Sequence, residues 1–186
     1  MPTALLTRDE VLECLTTTFR RFGYDGATLS RLEAFTGLKR SSLYHHFPAG
    51  KEEMAREVLA HANRWLQVNV IEPLQTPGDP QRKIDAMCAA LASFYASGKE
   101  SCLLNVMCFG DARDLFQDSV KQAMRQWITA LSHPLIASGV GRAEATRRAE
   151  DAIRDIQGAL VMSRTLNSTQ PFHRTLAELT ARMLRP

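Results

Sequence analysis

Gly37 is the position that most constrains this chain. Before it, Thr28 is an N-cap candidate, and Leu29, Leu32 and Phe35 fall on one helical face. After it, Leu38, Leu43 and Phe47 fall on another, and Pro48 closes the stretch. A glycine between two helices this short permits the positive φ of a tight reversal. The pattern predicts a helix-turn-helix, a motif whose second helix enters the major groove of DNA. That second helix opens on Lys39 and Arg40, and Ser41, Ser42, Tyr44 and His45 add donors that suit phosphates and base edges. No acidic residue occurs from Gly37 through Lys51. The bland alternative, a small helical subdomain with solvated basic residues, requires caps, turn glycine and basic-aromatic run to coincide by accident.

The rest of the chain is written in the same helical period. Thr7 followed by Glu10 is a capping box ahead of Val11, Leu12, Leu15, Phe19 and Phe22, and Gly23 suits the end of that first helix. Gly50 opens a long fourth helix through Met54, Val58, Leu59, Ala62, Trp65 and Leu66 to Ile71. Pro73, Pro77, Gly78, Asp79 and Pro80 concentrate the breakers, and no helix is expected to cross them. A fifth helix then carries Ile84, Met87, Cys88, Leu91, Phe94 and Tyr95 and is expected to stop at Gly98, a sixth covers Cys102 to Phe109, and a seventh starts near Asp111 or Ala112 and is expected to kink or end at Pro134. An eighth (about 143–167) and a ninth (about 171–184) complete the chain. No stretch alternates with period two for long enough to be a strand. The expectation is an all-α fold of about nine helices, with a DNA-binding head over 1–48 and a larger helical body over 49–186.

The 186 residues suffice for one sizeable core or for a head on a body. A net charge of +3 is too small to identify a nucleic-acid binder, so the argument rests on the local cluster of Lys39, Arg40 and Lys51. Cys14, Cys88, Cys102 and Cys108 have neither Cys-x-x-Cys nor zinc spacing and read as reduced, buried thiols. His45 and His46 are adjacent, so on a helix they point about 100° apart and do not share a metal ion readily. No nucleophile stands beside a positioned base in a recognisable motif, and no cofactor is implied. Without a signal peptide or a run of about 20 apolar residues, the chain reads as cytoplasmic and not membrane-spanning.

Thr28-Leu29-Ser30-Arg31-Leu32, then Gly37 through Phe47, then Lys51-Glu52-Glu53-Met54 resembles the tetracycline-repressor (TetR) family. That family shows a threonine-capped second helix, a Gly-Val turn, a third helix ending Leu-Tyr-x-His-Phe and a Lys-Glu pair opening the fourth. The chain departs from the pattern in three places. Leu38 replaces the usual valine, Lys39 stands where serine or threonine is frequent, and the Pro48-Ala49-Gly50 link is one residue longer. The resemblance implies that Tyr44 and Lys51 touch phosphates, as does Thr28 through its cap position. Ser101-Cys102-Leu103-Leu104 resembles a branch containing multidrug and flavonoid-responsive repressors.

The body holds too many soft and aromatic side chains for each to be assigned a place from the sequence. Trp65, Phe94, Tyr95, Cys102, Phe109, Phe116, Met124 and Trp127 are candidates to line a pocket for a small apolar or aromatic effector, with Asn105 and Gln157 as polar anchors. Plain core packing and ordinary buried hydrogen bonds are the competing reading of each. The last two helices carry the stripes expected to pair two copies, since a helix-turn-helix protein grips two half-sites as a dimer. The functional expectation is therefore a homodimeric repressor of a near-palindromic DNA operator, released by a small effector. In the alternative, the same DNA-binding dimer is regulated by a protein partner docking on the body.

Overall fold

The computed structural model describes residues 6–185. Among these there are nine α-helices and no strands. They are α1 (Arg8–Gly26), α2 (Leu29–Thr36), α3 (Arg40–His46), α4 (Lys51–Leu66), α5 (Pro80–Phe94), α6 (Leu103–Val106), α7 (Asp111–Ala137), α8 (Arg142–Thr165) and α9 (Gln170–Met183). The chain divides into two compact units. The first takes everything up to Asn63 together with Leu103–Gln117, and the second takes Arg64–Cys102 and everything from Asp118 onward.

In the first unit the expected caps are present. Thr7 accepts a hydrogen bond from the Glu10 N–H while the Glu10 carboxylate accepts from the Thr7 N–H at 2.7 Å, which closes the capping box that starts α1. Regular helical geometry breaks at Gly23 (φ +67°), where the first helix was expected to stop. Thr28 caps α2 by accepting from the Arg31 N–H, and α2 ends on Gly37 (φ +69°), whose N–H bonds the Glu33 carbonyl at 2.9 Å. Leu15, Phe19, Leu32, Leu43, Phe47, Met54 and Val58 are fully buried, one or more from each of the first four helices. Each large apolar side chain buried in this way contributes roughly 1.5–3 kcal/mol, enough to hold α3, which at seven residues is too short to persist alone.

In the second unit no helix crosses the breakers from Pro73 to Pro80, as expected, although Pro73 itself lies within helical structure. Helical structure continues beyond α4 through a π-helical stretch, Gln67–Ile71, and a last α turn, Glu72–Gln75, that contains Pro73. The Glu72 N–H reaches back to the Gln67 carbonyl, so the widened turn ends where proline has no N–H to offer. The helix stops at Thr76 (ψ 159°), ahead of Pro77. Of the kink or end expected at Pro134, the end does not occur there, because α7 continues to Ala137. Pro134 costs α7 the one bond that its missing N–H would have made to the Ala130 carbonyl, and the helix continues through it; the Ser132 hydroxyl donates to the Thr129 carbonyl. The sixth helix is shorter than Cys102–Phe109; only Leu103–Val106 is helical.

Asp79 caps α5 by accepting from the Arg82 N–H at 3.1 Å, with Pro80 in the first turn. Helices α8 and α9 pack as a pair. The Ser163 hydroxyl accepts from the Phe172 N–H at 3.2 Å, Arg148 donates to the Met183 carbonyl at 2.9 Å, and Arg182 pairs with Asp155. Thr180 of α9 donates to the Asp85 carboxylate of α5 at 2.6 Å. Cys88 and Cys102 are buried and Cys14 is half-buried. Cys108 is exposed, against expectation, because it lies past the end of α6 with its thiol turned to the Leu104 carbonyl. Burial pushes the Cys88 thiol up to about 12.

Candidate nucleic-acid interface

Helix α3 sits on the fully buried Leu43, with Phe47, equally buried, just past its end, and this fixes which of its residues face outward. Lys39, Arg40, Ser41, Tyr44 and His45 are exposed, and Ser42 is half-buried. The Arg40 guanidinium lies 5.6 Å from the centre of the Tyr44 ring, so the two share one side of the helix. The Tyr44 ring packs against Gly50 in the link to α4. The exposed face thus combines two cations, hydroxyl donors and an imidazole on a helix of about two turns, the donor set that phosphates and base edges take.

Two of the residues matched to phosphate contacts differ in setting. Thr28 is exposed at the N-terminus of α2, with its hydroxyl already accepting from the Arg31 N–H. Lys51 is half-buried; its ammonium donates to the Tyr24 carbonyl at 3.2 Å and lies 4.1 Å over the Tyr24 ring. One ammonium hydrogen is committed there, and an ammonium carries three.

Two residues that the sequence reading did not single out hold α3 at its ends. At the start, the Glu33 carboxylate accepts from the Arg40 N–H at 2.7 Å. At the end, Arg8 donates to the His46 carbonyl at 2.9 Å, stacks 4.8 Å over the Phe47 ring and lies 3.7 Å from the Glu57 carboxylate. Neither belongs to a periodic pattern. The one signal available was Lys39 itself, a residue without an acceptor at an N-cap position.

The residues expected to line an effector pocket are distributed over both units. In the second unit, the Trp65 and Phe94 rings stack at 3.8 Å, Phe94 meets Tyr95 edge-on at 5.1 Å, and Tyr95 meets Phe172 edge-on at 6.0 Å. Cys102 and Trp127 are buried there and Met124 is half-buried. The Trp127 indole N–H and both polar atoms of the Gln157 carboxamide are shut off from solvent without a hydrogen-bond partner. Asn105, Phe109 and Phe116 belong to the first unit. Phe116 is buried edge-on against Tyr24 at 5.4 Å, with Arg56 over its ring, while Asn105 is half-buried. Phe109 is 68% exposed, beyond the end of α6, and lines no interior.

The model of bacterial regulatory proteins of the tetR family matches residues 15–58, and that of the LmrA/YxaF-like C-terminal domain of transcriptional regulators matches residues 80–178. The chain belongs to the TetR family. The helix-turn-helix expected around Gly37 lies inside the first match, and the second is the branch resembled at Ser101-Cys102-Leu103-Leu104. The HTH-type transcriptional regulator LmrA of Bacillus subtilis is 22% identical over 169 residues, covering 89% of this chain and 90% of that protein. Among solved structures, a TetR regulator from Legionella pneumophila superposes with a TM-score of 0.81 at 16% identity, over 97% of this chain and 99% of that one. A cysteine mutant of the TetR family regulator CifR, complexed with 26 bp double-strand operator DNA, gives 0.75 at 19% identity over 100% of both chains. These structures share the TetR fold.

Among the described residues of this TetR regulator, no helix is long and apolar enough to cross a membrane.

Proposed function

We propose that the protein is a transcriptional repressor that binds a near-palindromic operator as a homodimer and is released by a small apolar or aromatic effector. The observation that carries the DNA-binding part is the outward face of α3, where Lys39, Arg40, Ser41, Tyr44 and His45 stand together on a helix locked by Leu43 and Phe47. Residues 1–48 act as the DNA-binding domain and 49–186 as the effector and dimerisation domain. Lys39 and Arg40 reach base edges or phosphates. Ser41, Ser42, Tyr44 and His45 add hydrogen bonds, and Thr28 and Lys51 take backbone phosphates. CifR in its complex with operator DNA supports this assignment by analogy of fold. A regulator of this kind works beside the chromosome, which places the protein in the cytoplasm.

Dimerisation is assigned to α8 and α9. Val161, Met162 and Leu166 are 52%, 51% and 60% exposed on α8 and at its end, and a groove of about 500 Å³ lies between the two helices beside Gly158, Ala159, Met162 and Pro171. Large apolar side chains next to small residues on a solvent-facing helix pair suit a self-complementary interface. The effector site is assigned to the interior of the second unit, around Trp65, Phe94, Tyr95, Cys102, Met124, Trp127 and Gln157. The orphaned carboxamide and indole N–H support a ligand that carries a polar group on an apolar body. Helix α4 carries residues of both units, so an effector that favours a displaced α4 changes the spacing of the two heads. It releases DNA only to the extent that it binds the released state more tightly.

The test begins with a duplex selected by the protein from a random library. Lys39→Ala combined with Arg40→Ala is expected to abolish selective binding while the thermal unfolding midpoint stays within a few degrees. Undiminished affinity in the double variant removes the α3 assignment.

A further inference from the structure

Lys39 holds the N-cap position of α3 with φ −69° and ψ 155°, and its side chain makes no capping bond. A lysine has three donors and no acceptor, so it is incapable of the usual cap, in which a side-chain oxygen accepts from the first turn of the helix. Three of the first four N–H groups of the helix have other partners. The Ser42 and Leu43 N–H groups both bond the Lys39 carbonyl, at 2.9 and 3.0 Å. The Arg40 N–H, which has no carbonyl within α3 to bond, meets the Glu33 carboxylate at 2.7 Å. Glu33 is well placed for this, because its own carbonyl accepts the Gly37 N–H and ties it into the turn. A carboxylate at the N-terminal end of a helix also opposes the positive end of the helix dipole.

We infer that Glu33 is a positioning residue for DNA recognition: it caps α3 from the preceding helix and thereby releases the side chain of residue 39 from capping, so that a lysine there is directed to DNA. This rests on the DNA-binding reading of α3. Glu33 carries a negative charge next to an interface for an anionic polymer, which by itself opposes binding. The two effects have opposite signs and are separable, since a glutamine keeps the acceptor oxygen and discards the charge, whereas an alanine discards both.

The experiment compares wild type, Glu33→Gln, Glu33→Ala and the double variant Glu33→Ala/Lys39→Ser. All are tested on the duplex that the wild-type protein enriches from a random library, and the Arg40 amide is followed by hydrogen exchange in the DNA-free protein. Glu33→Gln is expected to bind at least as tightly as wild type and Glu33→Ala about fivefold more weakly than Glu33→Gln. The Arg40 amide should exchange faster in both variants that carry Glu33→Ala, since a serine at position 39 caps the second or third N–H of the helix and not the first. Lys39→Ser added to Glu33→Ala supplies a cap from within and should return affinity to within about twofold of Glu33→Gln, with altered base preference. Equal affinities for Glu33→Ala and Glu33→Gln, or unchanged Arg40 exchange in Glu33→Ala, overturn the inference. If the wild-type protein enriches no duplex, the DNA-binding reading itself fails, and the exchange measurement alone then decides the cap.

Discussion

Gln157 has both ends of its carboxamide closed off from water with no partner, and the Trp127 indole N–H is in the same position. A buried polar group without a hydrogen bond costs about 1–3 kcal/mol, more than a typical satisfied bond contributes. An apolar side chain of similar length removes that cost, so Gln157→Met is expected to raise the stability of the ligand-free protein by about 1 kcal/mol, or about 2–4 °C in the unfolding midpoint. A lowered midpoint in thermal denaturation would mean that the carboxamide is satisfied in solution and is not an orphan. At this scale the sequence was legible where chemistry is local. Thr7, Thr28, Gly23 and Gly37 act as their residue types and spacings require. It was not legible for Glu33, Arg8 or Lys51, whose partners Arg40, His46 and Tyr24 are brought to them only by the reversal of the chain.

Among the elements, periodicity located every helix and misjudged several ends. Pro73 and Pro134 each sit inside helical structure: a π turn precedes Pro73, and the fully buried Trp127, Leu131 and Leu135 hold α7 together across the bond that Pro134 does not make. Phe109 looked interior by its spacing, but α6 stops at Val106 and leaves it on the surface. Helix α8 begins with a charge cluster whose effect is measurable. Hydrogen bonds from Arg148 and then Arg147 hold the Glu144 carboxyl below its ordinary value of 4.5. A carboxyl that is more acidic in the folded chain adds stability above its unfolded value, and that stability disappears as pH falls through the lowered folded value. Glu144→Gln is therefore expected to be less stable than wild type at neutral pH, with the difference vanishing in acid below the ordinary carboxylate range. Chemical denaturation along a series of falling pH measures this, and a difference that does not shrink as pH falls below the ordinary carboxylate range contradicts it.

On the scale of the whole molecule, the family is established by matches over residues 15–58 and 80–178, while the proposed dimer rests on the exposed apolar residues of α8. Val161→Glu combined with Met162→Glu places charge in that face and is expected to shift sedimentation at micromolar concentration from dimer to monomer, with little change in helicity. A wild-type protein already monomeric there, or a double variant still dimeric, rules out this face as the interface. The head was the more legible part, since Gly37 through Phe47 specifies its structure within a few residues. The body was less so, because the same aromatic spacing serves core packing and ligand contact alike, as Phe116 on Tyr24 illustrates.

The cap that Glu33 gives to α3 also bears on how such a protein changes over generations. Where a helix depends on its own first residue for capping, that residue is held to a few small oxygen-bearing types. Here the requirement sits in α2, so position 39 can drift through many side chains without unravelling the turn, and a new operator becomes reachable by a single substitution that leaves the fold intact.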